Sequence, residues 1–135
     1  MVQTDCPDIV GHLDKIKMHN LHETLFSESD QWYQEAVEAT LETIARAECV
    51  VEINTRGLYK RDLDSYPSEW VLRRMFEMNI PVMINSDSHA PEEITARFSD
   101  AARRLRRAGY RFLRVFSDRE WKDIPFGEEG LYFTK

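Results

Sequence analysis

Ile80-Pro81-Val82-Met83-Ile84-Asn85-Ser86-Asp87-Ser88-His89-Ala90-Pro91-Glu92-Glu93 is the stretch whose reading decides the fold. It begins with an apolar run of strand length and turns polar at Asn85. Pro91 then opens a helix. Proline's fixed φ suits a first turn, and Glu92 and Glu93 favour the positive end of the helix dipole. Ile94, Phe98, Ala101, Ala102, Leu105 and Ala108 share one face of that helix until Gly109 stops it. Beyond it, Arg111-Phe112-Leu113-Arg114-Val115-Phe116 alternates like a strand with one face buried.

The same unit recurs upstream. Pro7-Asp8-Ile9-Val10-Gly11-His12 reads as a short buried strand running into a polar loop. Asp30 can cap a helix in which Tyr33, Ala36, Val37, Thr40, Leu41 and Ile44 recur at helical spacing. Cys49-Val50-Val51-Glu52-Ile53-Asn54 is a β-branched strand, and Arg56-Gly57 through Ser65 a charged loop. Pro67 opens the next helix, with Ser65 as a cap, Trp70, Val71 and Phe76 buried, and Asn79 at its end. The order β-α-β-α-β-α-β implies an α/β fold whose strands pair in parallel through right-handed crossovers, in a sheet covered on both faces. Trp70, Phe76 and Phe98 are expected in the core.

The 135 residues make one domain, 1–135, with no repeat, linker or low-complexity tract. Hydrophobic residues at 42% and charged residues at 31% give a globular balance. No apolar run approaches the roughly 20 residues that cross a bilayer, and the N-terminus lacks the basic start and apolar stretch of a secretory signal. Cys6 and Cys49 are too few and too far apart for a disulfide framework or a CxxC zinc site, so the expectation is a cytoplasmic protein with reduced thiols. The net charge of −6 argues against binding driven by nucleic-acid phosphates. Arg103-Arg104-Leu105-Arg106-Arg107 reads as a solvated helix face.

In parallel α/β folds the reactive groups gather at the C-terminal edge of the sheet. Three apolar strands end there in polar groups: His12, then Glu52 with Asn54, then Asp87 with His89. Residues two apart on a strand face one side, so Asp87 and His89 can converge on a divalent ion. Other roles stay open. Asp87 can cap the following helix, His12 can be a satisfied structural histidine, and Glu52 can partner an arginine. His19 and His22 read as solvated loop residues. Arg56 and Lys60 flank Gly57, which permits a close backbone approach. The two cations can hold an anionic substrate group or stand as solvated charges.

Asp8-Ile9-Val10-Gly11-His12-Leu13-Asp14, Val51-Glu52-Ile53-Asn54-Thr55-Arg56-Gly57-Leu58-Tyr59-Lys60 and Asn85-Ser86-Asp87-Ser88-His89-Ala90-Pro91-Glu92 resemble successive motifs of the PHP-type histidinol-phosphate phosphatases. They occur in the family's order, and the likeness runs from about Asp8 to Ser117. The resemblance implies parallel β/α units forming part of a distorted (β/α)7 barrel, with the N-terminal half, which carries an HxH pair and further ligands, absent. His12, Asp87 and His89 match metal ligands for divalent zinc, iron or manganese. Glu52 and Asn54 fall behind them, and Arg56 and Lys60 fall where substrate contacts are expected. No catalytic residue is assigned.

The implied activity is hydrolysis of a small phosphorylated substrate, histidinol phosphate, to histidinol and phosphate in histidine biosynthesis, weak or missing in this chain alone. A non-catalytic remnant serving as a binding or assembly module, or an esterase for another small phosphate, is the alternative. A half barrel leaves strand edges uncovered, so self-association or pairing with the other half is expected, without nucleic acid or membrane partners.

Overall fold

The computed structural model describes residues 2–5, 7–60 and 64–133. Its centre is a parallel sheet of β1 (Ile9–Val10), β2 (Val50–Asn54) and β3 (Val82–Asn85), in that spatial order. Helix α1 (Val2–Asp5) precedes β1, and α2 (Gln31–Arg46) connects β1 to β2. Helices α3 (Arg56–Lys60) and α4 (Glu69–Glu77) connect β2 to β3, and α5 (Phe98–Ala108) follows β3. The fold is mixed α/β, as the repeated strand-then-helix pattern implied.

Register assigns the two faces of the sheet. Val10, Val51 and Val82 lie side by side, with Ile53 and Ile84 one step on. This face packs into the core with Leu41 and Ile44 of α2, Val71, Leu72 and Met75 of α4, and Ala101 and Leu105 of α5. Full burial of one such side chain contributes about 1.5–3 kcal/mol. The opposite face carries Ile9, Val50, Glu52, Asn54, Met83 and Asn85. Its cover is partial where the sequence led one to expect a full one: Val50, Glu52 and Asn54 are buried, but Ile9 is 38% exposed, and Ile9 and Met83 line an apolar cavity of about 600 Å³.

The last strand corrects the all-parallel expectation. Strand β4 (Phe112–Ser117) pairs antiparallel with β5 (Glu120–Gly127), which pairs with β6 (Gly130–Leu131). Asp118 and Arg119, both with positive φ, make the two-residue connection that suits a twisted hairpin. β4 packs beside β3 without joining its ladder. The hairpin lines one side of the 600 Å³ cavity with Leu113, Phe116 and Trp121.

Other expectations shift for local reasons. The helix read from Pro91 to Gly109 is broken, because the carbonyls of Ile94 and Ala96 accept bonds from the Ser86 and Thr55 hydroxyls instead of helical N–H groups. Arg97 is left-handed there, α5 starts at Phe98, and Ile94 is exposed. The charged loop after β2 begins as α3. Ser68, not Ser65, stands at the N-cap of α4, and the Ser65 hydroxyl bonds to the Pro67 carbonyl.

Of the three aromatics expected in the core, none is fully buried. Phe76 is 43% exposed and packs edge-on against Tyr110, Trp70 donates its indole N–H to Glu28, and Phe98 lines the cavity. Arg103, Arg106 and Arg107 are exposed on α5, Arg104 is half-buried and pairs with Asp64, and Leu105 is fully buried. Cys49 is buried, and Cys6 lies outside the described residues. No described helix is long and apolar enough to cross a membrane.

Gly57 serves a backbone approach, although not one to a substrate. A Cβ there would collide with the carbonyl oxygen of Asp64 and crowd the Tyr66 ring. Gly57→Ala is therefore expected to lower unfolding stability by about 1–3 kcal/mol in urea titration. An unchanged midpoint would show that the Asp64 backbone yields freely.

Candidate functional site

Because β1, β2 and β3 are parallel, their C-terminal ends lie along one edge, and a shallow cleft opens there. His12, Glu52, Asn54, Asn85, Ser86 and Asp87 are among its lining residues. At its floor is the Glu52 carboxylate, 8% exposed. Its Oε1 accepts the His12 backbone N–H at 2.8 Å and the Asn54 side-chain N–H at 2.9 Å. Its Oε2 accepts the Asn85 side-chain N–H at 2.7 Å. Gly11 lets the chain pass close by, since a Cβ there would stand 3.2 Å from Glu52 Oε1. A buried carboxylate needs such bonds, and here all three donors are neutral amides rather than the arginine that the sequence left open.

Asn54 passes this order on to the cations. Its Oδ1 accepts the Arg56 backbone N–H at 2.9 Å, which fixes the start of α3. Arg56 Nη1 then donates to the Asp87 carbonyl oxygen at 2.6 Å and lies 2.6 Å from His89 Nδ1. The Tyr59 hydroxyl donates to the Ser86 carbonyl at 2.8 Å, bracing the same loop. Burial comes first among the causes that push the Tyr59 phenol above its ordinary range, and Glu93 adds to it. His12 and Asp87 both hold positive φ, 31° and 53°, a conformation that costs non-glycine residues free energy and recurs at functional loops.

The sequence-predicted residues are thus partly assembled. His12, Glu52, Asn54 and Asp87 share the cleft. His89 stands outside it with its side chain 65% exposed, its Nδ1 being 3.8 Å from Asp87 Oδ1. Among the described residues no three His, Cys, Asp or Glu side chains cluster closely enough to hold a metal ion. As placed, His12, Asp87 and His89 do not fit one ion, because Arg56 takes the His89 ring nitrogen and Lys15 takes the carboxylate of Asp87 at 3.4 Å. Arg56 and Lys60 border an adjoining basic pocket with Lys15, Met18, Gly57 and Tyr66. His19 and His22 are exposed, as expected.

Two residues escaped the sequence reading. Lys15 follows the GHLD segment, and nothing local ties it to Asp87, 72 positions away. Glu93 had looked like a simple helix-start acid. Instead it ion-pairs with Lys60, accepts the His89 backbone N–H at 2.9 Å, and lies 3.8 Å from Arg56. A glutamate at the end of a first turn reaching back to a preceding N–H is the signal that could have found it.

Below the cleft a second network secures the loop after β1. Asp14 Oδ2 accepts the Ser68 N–H at 2.9 Å and pairs with Lys17 at 2.8 Å, and Lys17 also donates to the Ser65 carbonyl. Burial raises the Asp14 carboxyl above its usual range, with Lys17 opposing.

Known proteins give the context. No protein-family model matches the chain. A Deinococcus radiodurans protein named "Probable histidinol-phosphatase" is 30% identical over 107 residues, which cover 79% of this chain and 35% of that protein. The chain is similar to part of that protein. It spans about a third of the length of the curated relative it matches. The crystal structure of a candidate histidinol phosphatase, HisK, from Listeria monocytogenes superposes with a TM-score of 0.62 at 23% identity. The superposition covers 70% of this chain and 35% of that one, a likeness in fold. The name of that relative agrees with the family that the three motifs resemble.

The Lys60 ammonium first, then the His89 N–H, hold the Glu93 carboxyl at about 2 instead of 4.5. A depressed carboxyl stabilises the fold fully above its unfolded value and loses that contribution as pH falls through the folded one. Glu93→Gln should therefore flatten the loss of stability between about pH 4.5 and 2. Urea midpoints measured across that range would run parallel for both proteins if the pairing were inconsequential.

Proposed function

We propose that the chain forms part of a phosphomonoester hydrolase site of the PHP type, acting on a small phosphorylated substrate for which histidinol phosphate is the first candidate. The observation that carries this is the juxtaposition, at one parallel strand edge, of an acidic and imidazole cleft with a pocket bordered by Lys15, Arg56 and Lys60. The relationship to histidinol-phosphatases supports it at the level of reaction class.

Arg56 presents a planar fork that matches phosphate oxygens, and Lys15 and Lys60 add point charges on either side. Glu52, through Asn54, fixes where that fork begins. The resemblance assigns divalent zinc, iron or manganese to His12, Asp87 and His89. Those groups do not fit one ion as placed, so the phosphate-binding role falls to the chain's own cations. Phosphate monoesters demand accelerations up to about 10²¹-fold, which two or three protein cations do not supply. The chain alone is therefore proposed to bind phosphate and turn it over weakly or not at all. A binding-module role, the alternative reading, is favoured by a separate observation, that Asp87 and His89 are already engaged within the chain.

The remainder of a distorted (β/α)7 barrel, of the kind implied by relatives about three times as long, is the proposed cover for the face carrying Ile9 and Met83. The apolar cavity of about 600 Å³ between that face and the β4–β5 hairpin would become interior there.

Titrating the intact chain with inorganic phosphate and with histidinol phosphate, followed by NMR shifts, tests the site. Saturable shifts at Arg56 and Lys60 are expected, with affinity falling about tenfold, or ~1.4 kcal/mol, in Arg56→Met. Unsaturable shifts would remove the phosphate reading, and robust metal-dependent turnover by monomer would remove the claim of weak activity. Sedimentation velocity at micromolar concentration should show self-association through the uncovered face. A clean monomer would count against self-association.

A further inference from the structure

The groups that could receive a divalent ion are held by cations of the chain itself. The His12 carbonyl accepts the Lys15 backbone N–H at 3.0 Å, a turn that sends the Lys15 side chain across to Asp87 Oδ2 at 3.4 Å. On the other side, Arg56 Nη1 sits 2.6 Å from both His89 Nδ1 and the Asp87 carbonyl. A guanidinium has donors only and stays charged, so Nδ1 must be the accepting, unprotonated nitrogen. The neutral ring then carries its proton on Nε2. Its 2.9 Å approach to the Asp87 carbonyl is a close contact and not a second hydrogen bond. With one nitrogen accepting from arginine and the other protonated, the imidazole has no lone pair to offer a metal.

We infer that Lys15 and Arg56 are resident cations that occupy the ion-receiving groups of this cleft. They hold the chain in a metal-excluding form. Lys15 neutralises Asp87 where an ion would bind, and Arg56 fixes His89 in the tautomer that cannot ligate through Nε2. Both residues also border the pocket shared with Lys60, so one pair of cations separates an acidic, imidazole-bearing cleft from a basic one. The inference rests on reading this edge as a phosphoester site, but it concerns metal affinity and not turnover.

Calorimetric titration of the intact chain with Mn²⁺ tests it, comparing wild type with Lys15→Met and Arg56→Met. Each substitution removes a like charge from the ion's approach and is expected to tighten Mn²⁺ binding about tenfold. Equal affinity in all three proteins, or no binding by any of them, would overturn the inference. Nitrogen-15 shifts of the His89 ring in the wild-type protein need no variant. The Nε2–H tautomer is expected, and the Nδ1–H tautomer would overturn the role of Arg56. Phosphate binding, followed separately on the wild-type protein, reports on the proposed function alone, so the two can fail independently.

Discussion

The carboxylate of Glu52 is the constraint on which the strand edge depends. It accepts from the His12 N–H after β1, from Asn54 on its own strand and from Asn85 at the end of β3. One buried charge thereby joins all three parallel strands at the place where their ladders stop. Leaving any of these donors unpaired in the interior would cost about 1–3 kcal/mol, so the acid and its two asparagines stand or fall together. The same oxygen that receives His12 also orients Asn54, and Asn54 in turn starts the helix carrying Arg56.

From that point outward the site is a matter of charge balance. Lys15 faces Asp87, while Lys60 and Arg56 face Glu93. Each cation that would meet an anionic ligand already has a carboxylate partner, and a ligand must compete with it. Partly exposed pairs of this kind are individually weak, which makes partner exchange feasible. The loop from Ser86 to His89 is held mainly by its backbone carbonyls, through Tyr59 and Arg56. Asp87 and His89 therefore leave their side chains to nearby charges, Lys15 and Arg56.

Much of the architecture was legible in local sequence because it obeys short-range rules. Val50, Val51 and Ile53 are β-branched, and Leu41 and Ile44 recur on one helical face, so element type follows from local pattern. The failures have equally physical causes. The helix after Pro91 breaks because Ser86 and Thr55, distant in sequence, claim its carbonyls. The last strand turns antiparallel because Asp118 and Arg119 adopt positive φ, a conformation that neither residue type announces.

The sequence by itself determined the strand-then-helix order, the polar termini of three strands and the motif likeness to histidinol-phosphatases, since each is written in contiguous residues. Only the tertiary structure decided which charges meet. Lys15 and Asp87 are 72 positions apart, and Arg56 and His89 are 33 apart. Pairings across such separations depend on strand register and loop path, and those are set by packing of the whole sheet against its helices. No local pattern encodes them.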